Sequence, residues 1–176
     1  MLKPSFLDPE EILKELELRK EMTAVDFGCG AGGWVIPLAK KLKKGKVYAL
    51  DVQEEALSAL EGQAKLEEVF NIETILCNLE KPEGLKMRND SVDLILMTNL
   101  LFQIENKKEI FSQAGRILKK GGEVLVIDWK EESPFGPQGI RVLVEEVKGL
   151  AEDVGLKLKN EFDAGDYHYG LVFTKS

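Results

Sequence analysis

Short apolar runs alternate with charged, amphipathic segments along the first 130 residues of the chain. Five runs have the length and composition of buried strands, and most are followed by a segment whose apolar residues recur with helical spacing. The strand-like runs cover residues 24–27, 46–50, 71–77, 91–98 and 123–129, and the helical patterns cover 34–43, 54–67 and 107–119. This alternation predicts an α/β fold in which helices cover both faces of a parallel sheet.

The pattern changes after the fifth strand-like run. The chain continues with a loop rich in proline and glycine at 130–139, a helical pattern at 140–154, and strand-like runs at 156–162 and 168–174. Strands joined by so short a turn are antiparallel. We therefore expect a three-layer α-β-α sandwich with an antiparallel edge, built from residues 1–176 as a single domain.

A helix is also predicted before the first strand. Asp8 is a favoured N-cap residue, and Pro9 suits the first helical position. The apolar stripe of this helix consists of Ile12, Leu13, Leu16 and Leu18. Residues 5–7 either form a flap over a ligand or place Leu7 against the helix as a hydrophobic staple.

The first strand-like run leads into a glycine-rich loop. Gly28, Gly30, Gly32 and Gly33 lie in it, and a helical pattern begins at Trp34. Glycine lacks a Cβ and adopts positive φ, so a strand, a glycine-rich turn and a helix let the backbone approach a bound nucleotide closely. We expect this loop to bind a cofactor.

Candidate ligand groups also follow the next three strands. Asp51 ends the second, Asn78 and Leu79 follow the third, and Thr98, Asn99 and Leu100 lie at the end of the fourth. The carboxyl ends of parallel strands share one edge of a sheet, so these groups are expected to face one crevice with the glycine loop. A carboxylate can accept hydrogen bonds from both hydroxyls of a ribose, and an amide can pair with an adenine edge above an apolar neighbour.

Composition and charge exclude several functions. The 176 residues are 44% hydrophobic and 31% charged, as in soluble globular proteins, and the formal net charge is −7. An acidic chain argues against nucleic acid as the main partner, because backbone binding needs a clustered basic face. Cys29 and Cys77 lack metal-ligand spacing, so we expect no metal site and no disulfide framework. No apolar stretch reaches 18 residues, and we expect a cytoplasmic protein without a membrane span.

Two classes of cofactor fit the glycine loop. Gly28, Gly30 and Gly33 satisfy the G-x-G-x-x-G fingerprint of dinucleotide-binding proteins, with Asp51 about 20 residues further on. Asp26, however, lies inside the strand, where dinucleotide folds carry an apolar residue. An NAD-dependent oxidoreductase would also need a hydride-transfer set such as Tyr-x-x-x-Lys, which the sequence lacks.

Residues 25–32, Val-Asp-Phe-Gly-Cys-Gly-Ala-Gly, resemble motif I of the class I S-adenosylmethionine (SAM) dependent methyltransferases. The resemblance covers almost the whole chain: Asp51 stands at the ribose acid, 77–79 at the adenine motif, 91–101 at the fourth motif and 116–122 at the helix and turn before the fifth strand. Within the family, the chain looks most like the small single-domain group related to ubiquinone/menaquinone C-methyltransferases. The resemblance implies a Rossmann-like, doubly wound sheet of seven strands in the order 3-2-1-4-5-7-6, with the last strand antiparallel.

The resemblance also implies SAM as the cofactor, with Asp26 helping to fix the loop. Asn78 replaces the usual acid of the adenine motif, which leaves that contact open. The implied cofactor-binding residues are Asp26, Gly28, Cys29, Gly30, Ala31, Gly32, Asp51, Val52, Asn78, Leu79, Thr98 and Asn99.

SAM carries an activated methyl group, so placement of the acceptor can supply much of the rate and the fold demands no catalytic residue. Asp128 and His168 are the candidates for a proton acceptor, and a structural role for His168 is the alternative. Other candidates on the substrate side are Asn99, Phe102, Trp129, Lys130, Asp166, Tyr167 and Tyr169.

The expected partner is a small-molecule methyl acceptor, apolar or quinone-like, with a protein side chain as the second possibility. The sequence contains neither the Asn/Asp-Pro-Pro-aromatic run of amino-methylating enzymes nor the Pro-Cys nucleophile of cytosine C5 chemistry. A non-catalytic SAM-binding regulatory or scaffold protein is the main alternative function, and an NAD-dependent oxidoreductase is a further one. The sequence does not indicate the oligomeric state.

Overall fold

In a computed structural model, which describes residues 7–176, the predicted alternation of strands and helices is present. The strands are β1 Thr23–Phe27, β2 Lys46–Asp51, β3 Ile72–Leu76, β4 Val92–Thr98, β5 Leu118–Trp129, β6 Leu156–Asp163 and β7 His168–Lys175. The helices are α1 Pro9–Ile12, α2 Val35–Lys41, α3 Glu54–Leu66, α4 Lys107–Ile117 and α5 Val144–Glu152, and short 3-10 turns lie at Leu13–Glu15 and Leu101–Gln103.

The strands within the described residues form one seven-stranded sheet in the order β3-β2-β1-β4-β5-β7-β6. β1 pairs in parallel with both β2 and β4, whereas β7 is antiparallel to its neighbours β5 and β6. This confirms the predicted strand order and the antiparallel last strand. Because the order reverses between β1 and β4, a crevice opens beyond their carboxyl ends, where ligands bind in such sheets.

Helices pack on both faces of the sheet. Successive side chains of a strand point to opposite faces, so the apolar strands present buried side chains to the helices on each side. Ala24 of β1 packs in one buried cluster with Leu38 of α2 and Leu60 of α3. Val25, the next residue, packs in a second buried cluster with Phe111 of α4. The two clusters make the predicted three layers.

The junction between α4 and β5 differs from the sequence prediction. We expected a helix to 119 and a strand from 123, but α4 ends at Ile117 and β5 begins at Leu118. Leu118 is extended, with ψ 132°, and pairs with Val92. The register then shifts before Leu94. The two glycines that we interpreted as a turn between helix and strand therefore lie within β5, at this irregularity.

The last helix is also shorter than predicted, since α5 begins at Val144 rather than at residue 140. The preceding residues are held in a non-helical conformation by contacts outside the helix. The hydroxyl of Tyr169 donates a hydrogen bond to the carbonyl of Val142 (2.9 Å), and the guanidinium of Arg141 donates to the carbonyl oxygens of Pro137 and Phe135. The apolar pattern of 140–143 therefore reflects packing near the loop rather than a helical face.

The first helix begins as predicted, with the Asp8 side chain accepting a hydrogen bond from the N–H of Glu10 (3.0 Å). It becomes a 3-10 turn after Ile12, so Leu16 and Leu18 of the predicted stripe lie beyond the helical residues. The predicted flap or staple at 5–7 lies mostly outside the described residues. Within the part of the chain that the structure describes, no helix is long and apolar enough to cross a membrane.

Candidate functional site

A cavity of about 290 Å³ lies beyond the carboxyl ends of β1, β2, β3 and β4. Its volume is near the lower end of the range for small-ligand pockets. The cavity is lined by Gly28, Gly30, Asp51, Val52, Gln53, Cys77, Asn78, Leu79, Glu80, Leu100, Gln103 and Ile104. The four strand ends singled out in the sequence therefore do converge on one cavity.

The predicted cofactor-binding residues divide into two sets. Those that line the cavity are Gly28, Gly30, Asp51, Val52, Asn78 and Leu79, and those that do not are Asp26, Cys29, Ala31, Gly32, Thr98 and Asn99. Leu100, a candidate at the end of the fourth strand, also lines the cavity, and the lining residues that the prediction missed are Gln53, Cys77, Glu80, Gln103 and Ile104. Most of these lie next to a predicted residue along the chain, so a longer stretch around each strand end would have included them.

The glycine loop and the end of β2 are joined through Asp51. The N–H of Gly30 donates a hydrogen bond to Oδ2 of Asp51 (2.9 Å), and the N–H of Gln53 donates to Oδ1 (3.0 Å). The N–H of Cys29 also donates to the carbonyl of Leu50 (2.9 Å). A carboxylate accepts about four hydrogen bonds, so Asp51 retains acceptor capacity toward the cavity.

Backbone geometry explains both glycines of the cavity lining. Gly28 and Gly30 have φ of +69° and +52°, a region that residues with a Cβ rarely adopt. A Cβ on Gly28 would lie 2.6 Å from Cδ1 of Leu100, whereas a Cβ on Gly30 would meet nothing within 4 Å. The open space beside Gly30 is space that a ligand can use.

Asp26 lies in β1 beneath the loop and is fully buried. Neither of its carboxyl oxygens has a hydrogen-bond partner among the described residues. Burial, with a smaller contribution from the nearby Asp51, raises the pKa of Asp26 well above its usual value. The loop-fixing contact that the resemblance implied for Asp26 is made instead by Asp51.

Asn78 and Leu79, which follow β3, form another wall of the cavity. The side-chain oxygen of Asn78 accepts a hydrogen bond from the N–H of Glu80 (2.9 Å), which is an Asx turn. Leu79 is largely buried and presents an apolar surface to the cavity. Asn78 therefore shapes its own loop, and its amide nitrogen is the group that remains suited to an adenine edge.

The chain after β4 forms a third wall. Thr98 ends the strand and is buried, and Asn99 has a φ of +50°, an uncommon value for a residue other than glycine. The Oδ1 atom of Asn99 is buried and has no hydrogen-bond partner within residues 7–176. The 3-10 turn that comes after it carries Gln103 to the cavity.

The two candidate proton acceptors lie at the ends of β5 and β7. Asp128 is buried, and burial raises its pKa to about 6 although backbone N–H groups and Arg141 oppose the shift. His168 is buried with its ring centroid 4.0 Å from that of Trp129. Burial and the nearby Lys130 and Arg141 lower the pKa of His168 to about 4, so its imidazole is neutral at pH 7.

Both cysteines lie near the cavity. Cys77 lines it, and the thiol of the buried Cys29 donates a hydrogen bond to the carbonyl of Gly30 (3.4 Å). Burial and the negative charge of Asp51 raise the pKa of Cys77 to about 11, and burial raises the pKa of Cys29 further. Across the described part of the chain, no group of three or more His, Cys, Asp or Glu residues could hold a metal ion.

The strand order, the glycine loop after β1 and the acid at the end of β2 together define a class I SAM-dependent methyltransferase. Comparisons with known proteins agree. A family described as "Methyltransferase domain" matches residues 18–166. A crystal structure of a SAM-dependent methyltransferase from Aquifex aeolicus is 31% identical, with a TM-score of 0.87 over 97% of this chain and 90% of that one.

Curated relatives are more distant. A demethylmenaquinone methyltransferase of Geobacillus stearothermophilus is 25% identical over 128 residues, 72% of this chain and 53% of that protein. One from Staphylococcus aureus is 26% identical over 156 residues, 88% of this chain and 63% of that protein. The chain thus spans about half the length of the first of these relatives.

The chain belongs to the methyltransferase domain family, and the predicted resemblance to class I SAM-dependent methyltransferases is confirmed. SAM is accordingly its cofactor. The family assignment favours this cofactor over the dinucleotide that the G-x-G-x-x-G pattern also allowed. The buried Asp26 without a partner among the described residues and the space beside Gly30 both fit a ligand at this loop.

Proposed function

We propose that the protein transfers the methyl group of SAM to a nucleophilic atom of a small-molecule acceptor. The observation that carries this proposal is the hydrogen bond from Gly30 to Asp51, because it unites the glycine loop and the ribose acid in one cavity wall. A ligand with an adenosyl group and a charged amino acid end matches the groups around this cavity. The acceptor then enters from the open side of the same sheet edge.

The cavity residues divide the cofactor contacts among them. We assign the ribose hydroxyls to Asp51, whose oxygens keep free acceptor capacity beside their two backbone hydrogen bonds. The apolar side chains of Leu79 and Ile104 suit the faces of the adenine ring. Asp26 lies beneath the loop and does not line the cavity, and we assign it to the cationic end of the ligand through its charge rather than through contact, because a buried carboxyl without a partner in the described chain becomes less costly when a cation lies near it.

Bound SAM supplies a methyl group on a positively charged sulfur. In the transfer, the acceptor atom forms the new bond to carbon, the carbon–sulfur electron pair stays on sulfur, and S-adenosylhomocysteine leaves. The cavity walls orient the reactants and exclude water, which supplies much of the rate. If the acceptor carries a proton, the neutral imidazole of His168 is proposed to receive it, because both carboxyl oxygens of the other candidate, Asp128, already accept backbone hydrogen bonds.

Several features support a small, apolar acceptor. The loop before α5 exposes Phe135, Ile140 and Leu143, and Phe135 contacts the ring of Tyr167. The relatives from Geobacillus stearothermophilus and Staphylococcus aureus are named for a quinone acceptor, demethylmenaquinone. The net charge of −7 disfavours nucleic acid as the acceptor.

We also propose a cytoplasmic location. Both cysteines are free thiols, and a reducing compartment such as the cytoplasm keeps thiols in this form.

The proposal is tested in two stages with the full chain. Calorimetric titration with SAM and with S-adenosylhomocysteine is expected to show one site per chain. Methyl-labelled SAM is then incubated with a naphthoquinol, a catechol, a primary amine and an unfolded protein, and transfer to one of the aromatic acceptors is expected. Absence of binding at millimolar ligand would overturn the whole proposal, and transfer to the protein alone would overturn the small-molecule acceptor. Binding without transfer to any acceptor favours the non-catalytic alternative.

A further inference from the structure

The segment 100–104 forms one wall of the cofactor cavity without belonging to a strand or an α-helix. Leu100, Gln103 and Ile104 from this segment line the cavity. A short 3-10 turn has poor hydrogen-bond geometry of its own. Its position therefore depends on contacts that other elements make with its two ends.

A buried carboxylate holds the first end. Oδ2 of Asp128, at the end of β5, accepts a hydrogen bond from the N–H of Leu101 (3.0 Å), and Oδ1 accepts one from the N–H of Trp129 (2.8 Å). Asp128 is 1% exposed, so water does not replace these acceptors. Oδ2 thus connects β5 to the wall segment, while Oδ1 is occupied by the N–H of the next residue of β5.

A second carboxylate holds the other end. Oε1 of Glu80 accepts hydrogen bonds from the N–H groups of Glu105 and Asn106, both at 2.8 Å. The side-chain amide of Asn106 also donates to the carbonyl of Glu80 (3.2 Å). Because Glu80 itself lines the cavity, this contact joins the wall after β3 to the wall after β4.

We propose that Asp128 is a positioning residue, whose ionised carboxyl fixes the wall segment 100–104 and so sets the affinity of the cavity for its cofactor. This inference rests on the proposed cofactor site and gives Asp128 a role through the turn rather than contact with the reacting atoms. Glu80 anchors the same segment at its other end.

Protonation of Asp128 weakens the contact for a simple reason. A carboxylate accepts from both backbone N–H groups, whereas a carboxylic acid carries a donor on one oxygen and leaves one buried N–H without an acceptor. Burial raises the pKa of Asp128 to about 6, so this change falls in an accessible range. The groups that face this carboxyl are Arg141, which favours the charged form, and Tyr169, which lies opposite Asp128 in the pairing of β5 with β7.

The test compares Asp128→Asn with wild type by titration with S-adenosylhomocysteine between pH 5.0 and 7.5. The wild-type affinity is expected to fall about tenfold toward pH 5.0, the equivalent of one lost hydrogen bond to a charged group. The variant is expected to bind about tenfold more weakly at pH 7.5 and to lose about tenfold less affinity than wild type on acidification. Asp26 titrates in both proteins, so the difference between the two profiles reports Asp128.

Asp93→Asn is the matched control. Asp93 accepts a hydrogen bond from the N–H of Thr23 (2.8 Å) and pairs with Lys119, but it lies at the amino end of β4, away from the cavity. This variant is expected to lose stability while keeping the wild-type affinity and pH profile. A wild-type affinity and pH profile in Asp128→Asn would overturn the proposal.

Amide hydrogen exchange keeps the inference testable apart from cofactor binding. The Leu101 amide is expected to exchange faster in Asp128→Asn than in wild type, and the Glu105 and Asn106 amides faster in Glu80→Gln. If wild type bound no S-adenosylhomocysteine, the proposed function would fail and these amides would still report the anchoring of the turn. Unchanged protection of Leu101 would overturn the positioning role even if the cofactor binds.

Discussion

Asp51 connects two parts of the cofactor cavity through a single carboxylate. It accepts hydrogen bonds from Gly30 on the loop and from Gln53 at the start of the next segment. These contacts fix the carboxylate before any ligand arrives, so little ordering of this side chain is needed on binding. The same residue is thereby both a structural link and the proposed ribose ligand.

Replacing Asp51 with alanine is expected to weaken SAM binding by about 1.5–3 kcal/mol, or roughly tenfold to a hundredfold, because a charge-assisted hydrogen bond is lost. Isothermal titration calorimetry measures the change. Glu54→Ala, which removes an exposed acid three residues away, serves as the control and is expected to bind as wild type does. An affinity unchanged in Asp51→Ala would contradict the ribose assignment.

At the scale of elements, the glycine loop packs closely against α3. Gly32 has a φ of +93°, and a Cβ there would lie 2.3 Å from Cδ1 of Leu60, a buried residue of α3. Gly62 lies in the same helix as Leu60, but a Cβ on it would meet nothing within 4 Å. The loop glycine is therefore required by its surroundings, whereas the helix glycine is not.

Gly32→Ala is expected to lower the free energy of unfolding by about 1–3 kcal/mol, through backbone strain and the displacement of Leu60. Gly62→Ala is expected to raise it by about 0.5–1 kcal/mol, because alanine favours a helix interior and restricts the unfolded chain. Urea unfolding measures both. A stabilised Gly32→Ala would show that the loop relaxes more easily than its geometry indicates.

The sequence predicted helices and strands correctly where a residue pattern is compatible with only one type of structure. Buried apolar runs predicted β1, β2 and β4, and the glycines together with Asp51 predicted the cavity. Prediction failed where tertiary contacts decide the conformation. Residues 118–122 carry turn-like glycines yet belong to β5, which pairs with β4. Residues 140–143 are held by Tyr169 and by carbonyl contacts of Arg141 that no periodicity encodes.

The wall segment 100–104 illustrates the same limit at the candidate site. Its position depends on Asp128, which lies 27 residues along the chain from the Leu101 amide, and on Glu80, which lies 25 residues from the Glu105 amide. Local pattern carries no signal for such contacts. The sequence marked Asp128 as a candidate only because it ends a strand.

At the scale of the whole molecule, the layered architecture buries the acid that the resemblance placed at the core of the site. Asp26 belongs to the central strand β1, with β2 and β4 on either side and helices on both faces. Because Asp26 is buried within the sheet, its ionisation affects the free energy of unfolding of the whole protein as well as ligand binding.

Asp26→Asn is expected to change the pH dependence of unfolding. The unfolded acid ionises near its usual pKa of 3.8, whereas the folded acid keeps its proton to higher pH. Over that interval only the folded chain holds the proton, so wild-type stability falls as pH rises, by up to about 1.4 kcal/mol per pH unit. The variant lacks this decline, so its stability relative to wild type grows from about pH 4 upward.

Urea unfolding at about pH 4.5, 5.5, 6.5 and 7.5 measures the difference. Asp153→Asn, an exposed acid that follows α5, is the control and is expected to track wild type at every pH. A stability difference between Asp26→Asn and wild type that is constant over this range would mean that Asp26 ionises normally in the folded protein.

The thiols of Cys29 and Cys77 lie beside the cavity that we propose to hold the methyl donor. A methyl group on a sulfonium is electrophilic, and the thiolate rather than the thiol is the nucleophilic form of cysteine. With a pKa of about 11 for Cys77 and a higher one for Cys29, both sulfurs stay protonated at neutral pH. Protonation therefore lowers the reactivity of both sulfurs toward the methyl donor that we propose for this cavity.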